Sequence, residues 1–387
     1  MTRRLVTLGE VCSQDRTSVR PGHADELAYL GLEGIESGTG RFLDGELSKT
    51  PEVPQANSFR FDERHVLYGK LRPYLNKVAV PTAPGKCSTE IIPLLPSAQI
   101  DRRYLSYFLR APATVKKVAE RSSGARMPRA DMDFVLSLPI SLPAMEEQCR
   151  IVDLLARAEG IVRLRREAQQ KAAELIPAIF IDIFGDPATN PRGWPVHSLG
   201  VLAEVQGGLQ VTRARSELPL ERPYLRVANV HRGRLDLAEM KSIRLTEAEF
   251  RRTALQAGDL LVVEGHGNPQ EVGRVATWDD SIPGCTHQNH LIRARPLRDR
   301  LLPEYACALL NSEAGRQTLL RAGKTTSGLS TISAQNVKDA TVMLPPLADQ
   351  LEFASRTEAV ASLMDQQHEA LVKARASFDA LLSRAFH

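Results

Sequence analysis

The sequence predicts an α+β protein written twice: two similar mixed α/β domains joined by two long antiparallel helices, a coiled-coil pair that makes the chain a pseudo-two-fold internal repeat. Three observations predict it. One helical run begins at Gln148 and ends near Gly185, another begins at Gln350 and ends at His387, and a shift of 202 residues superimposes them without a gap. Under that shift Ile151 falls on Phe353, Ala158 on Val360, Ile161 on Leu363, Val162 on Met364, Ile179 on Leu381 and Phe184 on Phe386. Each run also follows a domain-sized stretch of short β-like segments, and landmarks of the first stretch recur in the second. Leu8-Gly9 answers to Leu199-Gly200, Tyr29-Leu30 to Tyr224-Leu225, Gly40-Arg41 to Gly233-Arg234, and Ser123-Gly124 to Ser327-Gly328.

The elements follow in order. Residues 1–146 form the first domain, with β-like runs at Ala28–Leu32, His65–Tyr68, Lys77–Val80 and Glu90–Leu95 and a helical stretch over Arg103–Glu120. Residues 147–185 form the central long helix, on which Ile151, Leu155, Ala158, Ile161, Val162, Leu175 and Ile179 keep an apolar stripe for helix-pair packing. Pro177 should kink or break it. Gly185-Asp186-Pro187 is a stop signal and 186–193 a connector. Residues 194–348 form the second domain and 349–387 the distal long helix, with Phe353, Val360, Leu363, Met364, Phe378 and Leu381 on its packing face. Each helix has one apolar stripe to bury, and an antiparallel pair with a domain at each end does so most simply.

At 387 residues the chain can hold two cores, and its 43% apolar content is that of an ordinary soluble protein. The net charge of +4 is only mildly basic, but the charges are clustered. Arg102 to Arg129 holds eight Lys or Arg against Glu120, and Arg293 to Lys324 holds seven against three acids. Basic tracts in comparable places favour a polyanion as partner, although a basic helix face can simply be solvated. A helix of some 35 residues is ~50 Å long, and two-headed DNA readers space half-sites by about one turn, ~34–36 Å. The five cysteines are scattered and form no C-x-x-C pair, as expected of a reducing, cytoplasmic setting. No apolar run reaches the ~20 residues of a membrane span.

Several chemical motifs fail on inspection. Gly323-Lys324-Thr325 suggests a phosphate loop, but Thr318 stands where its leading glycine should be. Cys285, His287 and His290 lack a fourth metal ligand at suitable spacing, and no metal is expected. Glu239-Met240-Lys241 is a nuclease-like tripeptide of a kind that arises by chance, and no catalytic triad can be placed.

The polar motifs are more specific. Tyr68 to Lys77 carries Lys70, Arg72 and Lys77, which can neutralise phosphates, with Asn76, which can fork onto adenine, and Tyr68 and Tyr74, which can pack on sugars. In the second half, Glu264 to Gln270 offers His266 and Asn268 to base edges between two glycines. Ser123, Gly124 and Arg126, and likewise Lys324, Thr326 and Ser327, have the small hydroxyls and bases of phosphate or base loops. For each of these the alternative is an ordinary exposed loop.

The run from Tyr68 to Lys77, followed by Cys87-Ser88-Thr89-Glu90, resembles a signature of target-recognition domains in the DNA specificity subunit of type I restriction–modification systems. Gly258 to Leu261, Gly273-Arg274 and Gln288-Asn289-His290 look like its sister variant, and Leu142-Pro143 to Gln148 and Leu344-Pro345 to Gln350 look like that family's helical regions. The resemblance covers nearly the whole chain. It adds Ser88, Thr89, Arg274, His287, Gln288 and Asn289 to the candidate DNA contacts. It implies a non-catalytic cytoplasmic subunit on which each domain reads half of a bipartite duplex site. That subunit binds no cofactor itself; two methylation subunits carry S-adenosylmethionine, and restriction/translocase subunits carry ATP and Mg.

Overall fold

The computed structural model describes residues 4–20, 27–43, 57–124, 126–321, 324–326 and 329–386, with the backbone alone at 324–326 and 329–330. The chain divides into two compact units, Met1–Arg166 with Glu369–His387, and Glu167–His368. Two helices of 40 residues, Met145–Phe184 and Leu347–Phe386, contribute to both.

In the first unit, Cys12–Gln14, Ile91–Pro96, Val66–Gly69 and Val78–Ala79 form a four-stranded antiparallel sheet in that order. A second sheet orders Ser18–Val19, Ser58–Phe61, Gly85–Ser88 and Ala28–Leu30, the last pair parallel. Arg4–Thr7 pairs with Pro139–Leu142 and leads the chain into the central helix. The stretch expected as one helix over Arg103–Glu120 is two, Arg102–Arg110 and Pro112–Glu120. Pro112 explains the break: it biases Ala111 to extended backbone (ψ 134°) and starts a new helix at its favoured first position.

The second unit repeats this plan. Ala203–Gly207, Leu291–Pro296, Leu260–Val263 and Val275–Thr277 form the four-stranded sheet, and Val196–Ser198 pairs with Thr341–Met343. Pro303–Asn311 and Glu313–Leu320 are its helix pair. It adds the helix Glu247–Thr253, capped by Thr246.

Within each unit the start of one long helix lies against the end of the other, which makes the pair antiparallel. In the first, Ile151, Val152, Leu155 and Val162 share a core with Phe378, Leu382 and Ala385. In the second, Phe180 and Phe184 share one with Phe353. The aromatic contacts recur as well: Tyr104 meets Phe386 at 5.0 Å between ring centroids, and Tyr305 meets Phe184 at 4.7 Å. Gly185, left-handed at φ 81°, ends the central helix, and a Cβ there would lie 2.5 Å from Pro191. Pro177 does not break that helix. It sits on the exposed side, while Phe180 and Phe184 a turn or two later are anchored in the core.

The packing stripe is narrower than its heptads suggest. Ala158, Ile179 and Leu381 pack at the edge of the cores, Val360 is buried and Met364 half-buried. Ile161, Leu175 and Leu363, expected in the packing face, are 52%, 42% and 39% exposed. A straight helix drifts against a 3.5-residue repeat, and the buried seats pass to Val162 and Ala172.

One hydrogen-bond set fixes both helix starts. Gln148 is fully buried: its Oε1 accepts from the Asp101 N–H at 2.8 Å, and its Nε2 donates to the carbonyls of Gln99 and Pro143, both at 2.9 Å. Gln350, equally buried, accepts from the Leu302 N–H at 2.8 Å and donates to Arg300 and Pro345 at 3.0 and 2.9 Å. The hydroxyls of Tyr104 and Tyr305 donate to Ser141 and Met343 at 2.9 Å beside these sites. Gln148→Ala or Gln350→Ala strands one buried N–H and leaves two carbonyls without this donor. Each is expected to destabilise its own unit by about 2–4 kcal/mol, measured by denaturant unfolding with a probe in each unit.

Candidate nucleic-acid interface

In the first unit three separate stretches meet where the strand Val66–Gly69 ends. The Lys70 N–H donates to the Glu90 carbonyl at 2.9 Å, and the Lys70 carbonyl accepts from Ala130 at 2.8 Å. The Arg72 N–H donates to Pro128 at 2.6 Å, and Ser123 and Arg129 bond each other in both directions. The signature run, the Ser88-Thr89-Glu90 turn and the Ser123–Arg129 loop are therefore one surface. Arg72 and Asn76 are left-handed, at φ 52° and 51°, and bracket a single turn over Pro73–Leu75. That geometry raises Arg72 and Tyr74 as an exposed crest with Lys70 half-exposed at its foot. Ser123, Gly124 and Arg126 are exposed beside it, and Ser88 and Thr89 are half-exposed. Arg129, which no motif singled out, forks onto the Glu90 carboxylate at 2.8 Å and clamps loop to turn.

The second unit builds the same junction with different side chains. The Glu264 N–H donates to the His290 carbonyl at 3.0 Å, and the Glu264 carbonyl accepts from Ile332 at 2.8 Å. Glu264 therefore stands where Lys70 stands in the first unit. The short strand Gly265–His266 pairs with Leu329–Thr331, with His266 opposite Ser330. His266 is half-exposed, and its Nδ1 accepts from the Asn268 N–H at 3.0 Å. Asn268 is exposed, though its side-chain oxygen caps the following turn at Gln270. Gln288 and Asn289 are half-exposed. Lys324 and Thr326 lie on a strand paired with Leu329–Thr331. Ser327 lies outside the described residues.

Five of the candidate contacts point inward. Tyr68 is buried at the end of its strand, and burial raises the pKa of its hydroxyl. The Asn76 amide donates to the Arg110 carbonyl at 3.0 Å, and the Lys77 ammonium to the Leu32 carbonyl at 2.8 Å; both brace the loop from below. Arg274 is buried, paired with Glu271 at 2.7 Å and donating to the Val227 carbonyl at 2.8 Å. His287 is fully buried beside the backbone of Gln206 and Thr253. These five hold the surface up rather than forming it.

The second unit also holds a buried charged layer. Arg293, on the strand Leu291–Pro296, is buried and pairs with Glu204 at 2.5 Å. Asp259, fully buried, takes a two-point contact from Arg295, both at 2.7 Å. Arg interrupting the run Leu291-Ile292-Arg293-Ala294-Arg295 was the available signal. Among the described residues no group of three or more His, Cys, Asp or Glu gathers as metal ligands, and no helix is long and apolar enough to cross a membrane.

The chain is similar to known proteins over most of its length. Residues 43–174 match the model of the type I restriction modification DNA specificity domain. The Escherichia coli K12 type I restriction enzyme EcoKI specificity subunit is 26% identical over 315 residues, covering 76% of this chain and 66% of that protein. Over most of its length the chain is similar to type I restriction–modification specificity subunits. The StySPI specificity subunit of Salmonella potsdam is 24% identical, again over 76% of this chain and 66% of that protein. The chain thus spans just under two thirds of the length of these two members of the specificity-subunit family. Two solved structures share the fold. One, from work on complex assembly and conformational transition of a type I system, has a TM-score of 0.62 at 20% identity, covering 99% of this chain and 97% of its own. The other, the S subunit from M. genitalium, has a TM-score of 0.57 at 11% identity, covering 100% and 96%.

The buried histidine makes the second unit acid-sensitive. Burial, reinforced by the Arg293 charge, lowers the His287 pKa to about 4. An unfolded histidine titrates near 6.5, so between the two values the unfolded chain binds the extra proton. Stability from this group is complete above about pH 6.5 and drains away as pH falls toward about 4. His287→Leu is expected to flatten that part of the second unit's stability profile, read as unfolding midpoints at pH 7 and pH 5.

Proposed function

We propose that this chain is the cytoplasmic DNA-reading subunit of a type I restriction–modification complex and carries no catalytic centre of its own. Each unit reads one half of a bipartite duplex site through its three-stretch junction. The helix pair sets the gap between half-sites and docks two methylation subunits. S-adenosylmethionine belongs to those subunits, and ATP and Mg belong to the restriction/translocase subunits.

The observation that carries the reading is the junction built twice on one backbone plan with opposite chemistry. Lys70 and Glu264 occupy the same place, between the carbonyl of a turn and the N–H of a returning loop. Arg72 and His266, two residues beyond each, then face different partners. A duplicated scaffold with unlike tips suits a target whose two halves differ in sequence. Arg72 can fork onto guanine, His266 can accept or donate to a base edge, and half-exposed Lys70 and exposed Arg126 can position phosphates. Contacts of that kind make binding fall steeply with salt.

Selection from a randomised duplex library, with and without methylation subunits and at two salt concentrations, is expected to return two short unlike half-sites at a fixed gap. Recovery of no motif even with those subunits bound would sink the reading. Arg72→Ala is expected to relax one half-site and His266→Ala the other, each by about 1–3 kcal/mol of base discrimination; equal loss at both sites would make these residues general contacts. Insertion of one heptad in each long helix is expected to change the tolerated gap, and an unchanged gap in a folded variant would refute the role of the helices in setting it.

A further inference from the structure

At the junction of the first unit two large apolar side chains stand in the open. Met127 is 47% exposed and Tyr74 is 54% exposed. Neither belongs to the apolar cores of that unit. A single exposed apolar residue is ordinary, but two set into a basic loop surface are not explained by packing. Tyr74 is already a candidate contact; Met127 is not.

The backbone fixes where Met127 sits. Leu71 pairs with Arg129 in an antiparallel bridge, and the Arg72 N–H donates to the Pro128 carbonyl at 2.6 Å. The next step of that register brings Met127 level with Pro73, the buried residue between Arg72 and Tyr74. The loop is closed behind it. Arg129 Nη1 donates to the Met127 carbonyl at 3.4 Å, and a Cβ on Gly124 would come within 3.1 Å of the same carbonyl. The main chain of Met127 is thus held from within while its side chain is left to solvent. The charges around it are unengaged: among the described residues Lys70, Arg72 and Arg126 make no ion pair and no side-chain hydrogen bond. Glu90, beside them, is taken by Arg129.

The second unit keeps this step. Gly265 pairs with Thr331 and His266 with Ser330, so the next residue in that register is Leu329. Leu329 follows Gly328 directly, whereas Met127 stands three residues beyond Gly124. The apolar residue therefore keeps its place in the register and not its place in the loop.

We infer that Met127 is a specificity-determining residue of the first half-site and packs against the 5-methyl group of a thymine. The inference rests on the DNA-reading role proposed above and names what that junction selects. In the major groove the base pairs present donors, acceptors and one kind of apolar group, the thymine methyl. A thioether side chain makes no strong hydrogen bond, and it is flexible and polarisable enough to fit a methyl group. Residues paired across an antiparallel ladder lie about 5 Å apart and base steps are ~3.4 Å, so the thymine stands about one or two pairs from the base that Arg72 contacts.

The test uses the full chain with methylation subunits and the duplex that selection returns. Each thymine of the first half-site is replaced in turn by deoxyuridine, which keeps the pairing edge and removes only the methyl. One replacement, close to the position relaxed in Arg72→Ala, is expected to weaken binding about fourfold in competition. Met127→Ser is expected to bind the thymine and deoxyuridine duplexes equally, and Met127→Leu to restore part of the preference, both with the thermal stability of the unaltered chain. A first half-site without thymine, tolerance of deoxyuridine at every position, or the same loss in Met127→Ser overturns the inference and leaves DNA reading standing. Loss of methylation-subunit binding in Met127→Ser, with its response to deoxyuridine unchanged, gives the residue to a protein contact and overturns it likewise. Return of no half-site at all overturns the reading and the inference together.

Discussion

The buried glutamine at the start of each long helix is the interaction on which the architecture depends. A helix start leaves N–H groups unpaired, and a domain packed against it leaves loop polar groups cut off from water. Gln148 and Gln350 answer the second problem with one amide each, joining the loop before a domain helix to the turn before the long helix. Both have zero exposure, so water cannot substitute for them. The aromatic contacts of Tyr104 with Phe386 and of Tyr305 with Phe184 then complete the same corner with apolar area. Orientation of domain on helix is thus set by a polar lock and held by packing, and the reading junction inherits its position from it.

The two halves show which parts of such a scaffold are constrained and which are free. Backbone hydrogen bonds at the junction survive, with Lys70 and Glu264 in one role, because they depend on N–H and carbonyl groups that every non-proline residue supplies. Side chains projecting from that frame differ between the halves, with Lys70 and Arg72 in one and Glu264 and His266 in the other. Residues just beneath it, such as Asn76 and Lys77 in one half and Arg274 in the other, each reach a backbone carbonyl from a different direction. They are as polar as the contacts above them, but their work is internal.

The sequence therefore disclosed the plan better than the surface. Helix starts, the 202-residue register and the central strands were legible because periodicity and repetition are written in residue type. The break at Ala111-Pro112 was readable in principle from Pro112 alone. Depth was harder. In the strand Val66–Gly69 all four residues are buried, so the alternation that separates inward from outward faces vanishes and Tyr68 reads like its exposed neighbour Tyr74. His287 misleads for the same reason, as a polar residue in a polar motif whose strand lies inside the fold. The meeting of three distant stretches at Lys70 was not legible, since it is made by main-chain groups that leave no trace in side-chain identity.

Because each long helix serves both units, neither unit is closed by the residues that begin it. The core holding Val6 and Leu8 is finished by Phe378, Leu382 and Ala385, which follow the whole of the second domain in sequence. During synthesis the amino-terminal recognition domain therefore waits, with apolar surface uncovered, until the whole of the second domain has emerged. In sequence the unit Glu167–His368 is nested within the other, so its residues are all synthesised before the other unit's are complete. Protection of that waiting surface, by a chaperone or by an early-arriving partner, becomes part of the requirements for making the protein at all.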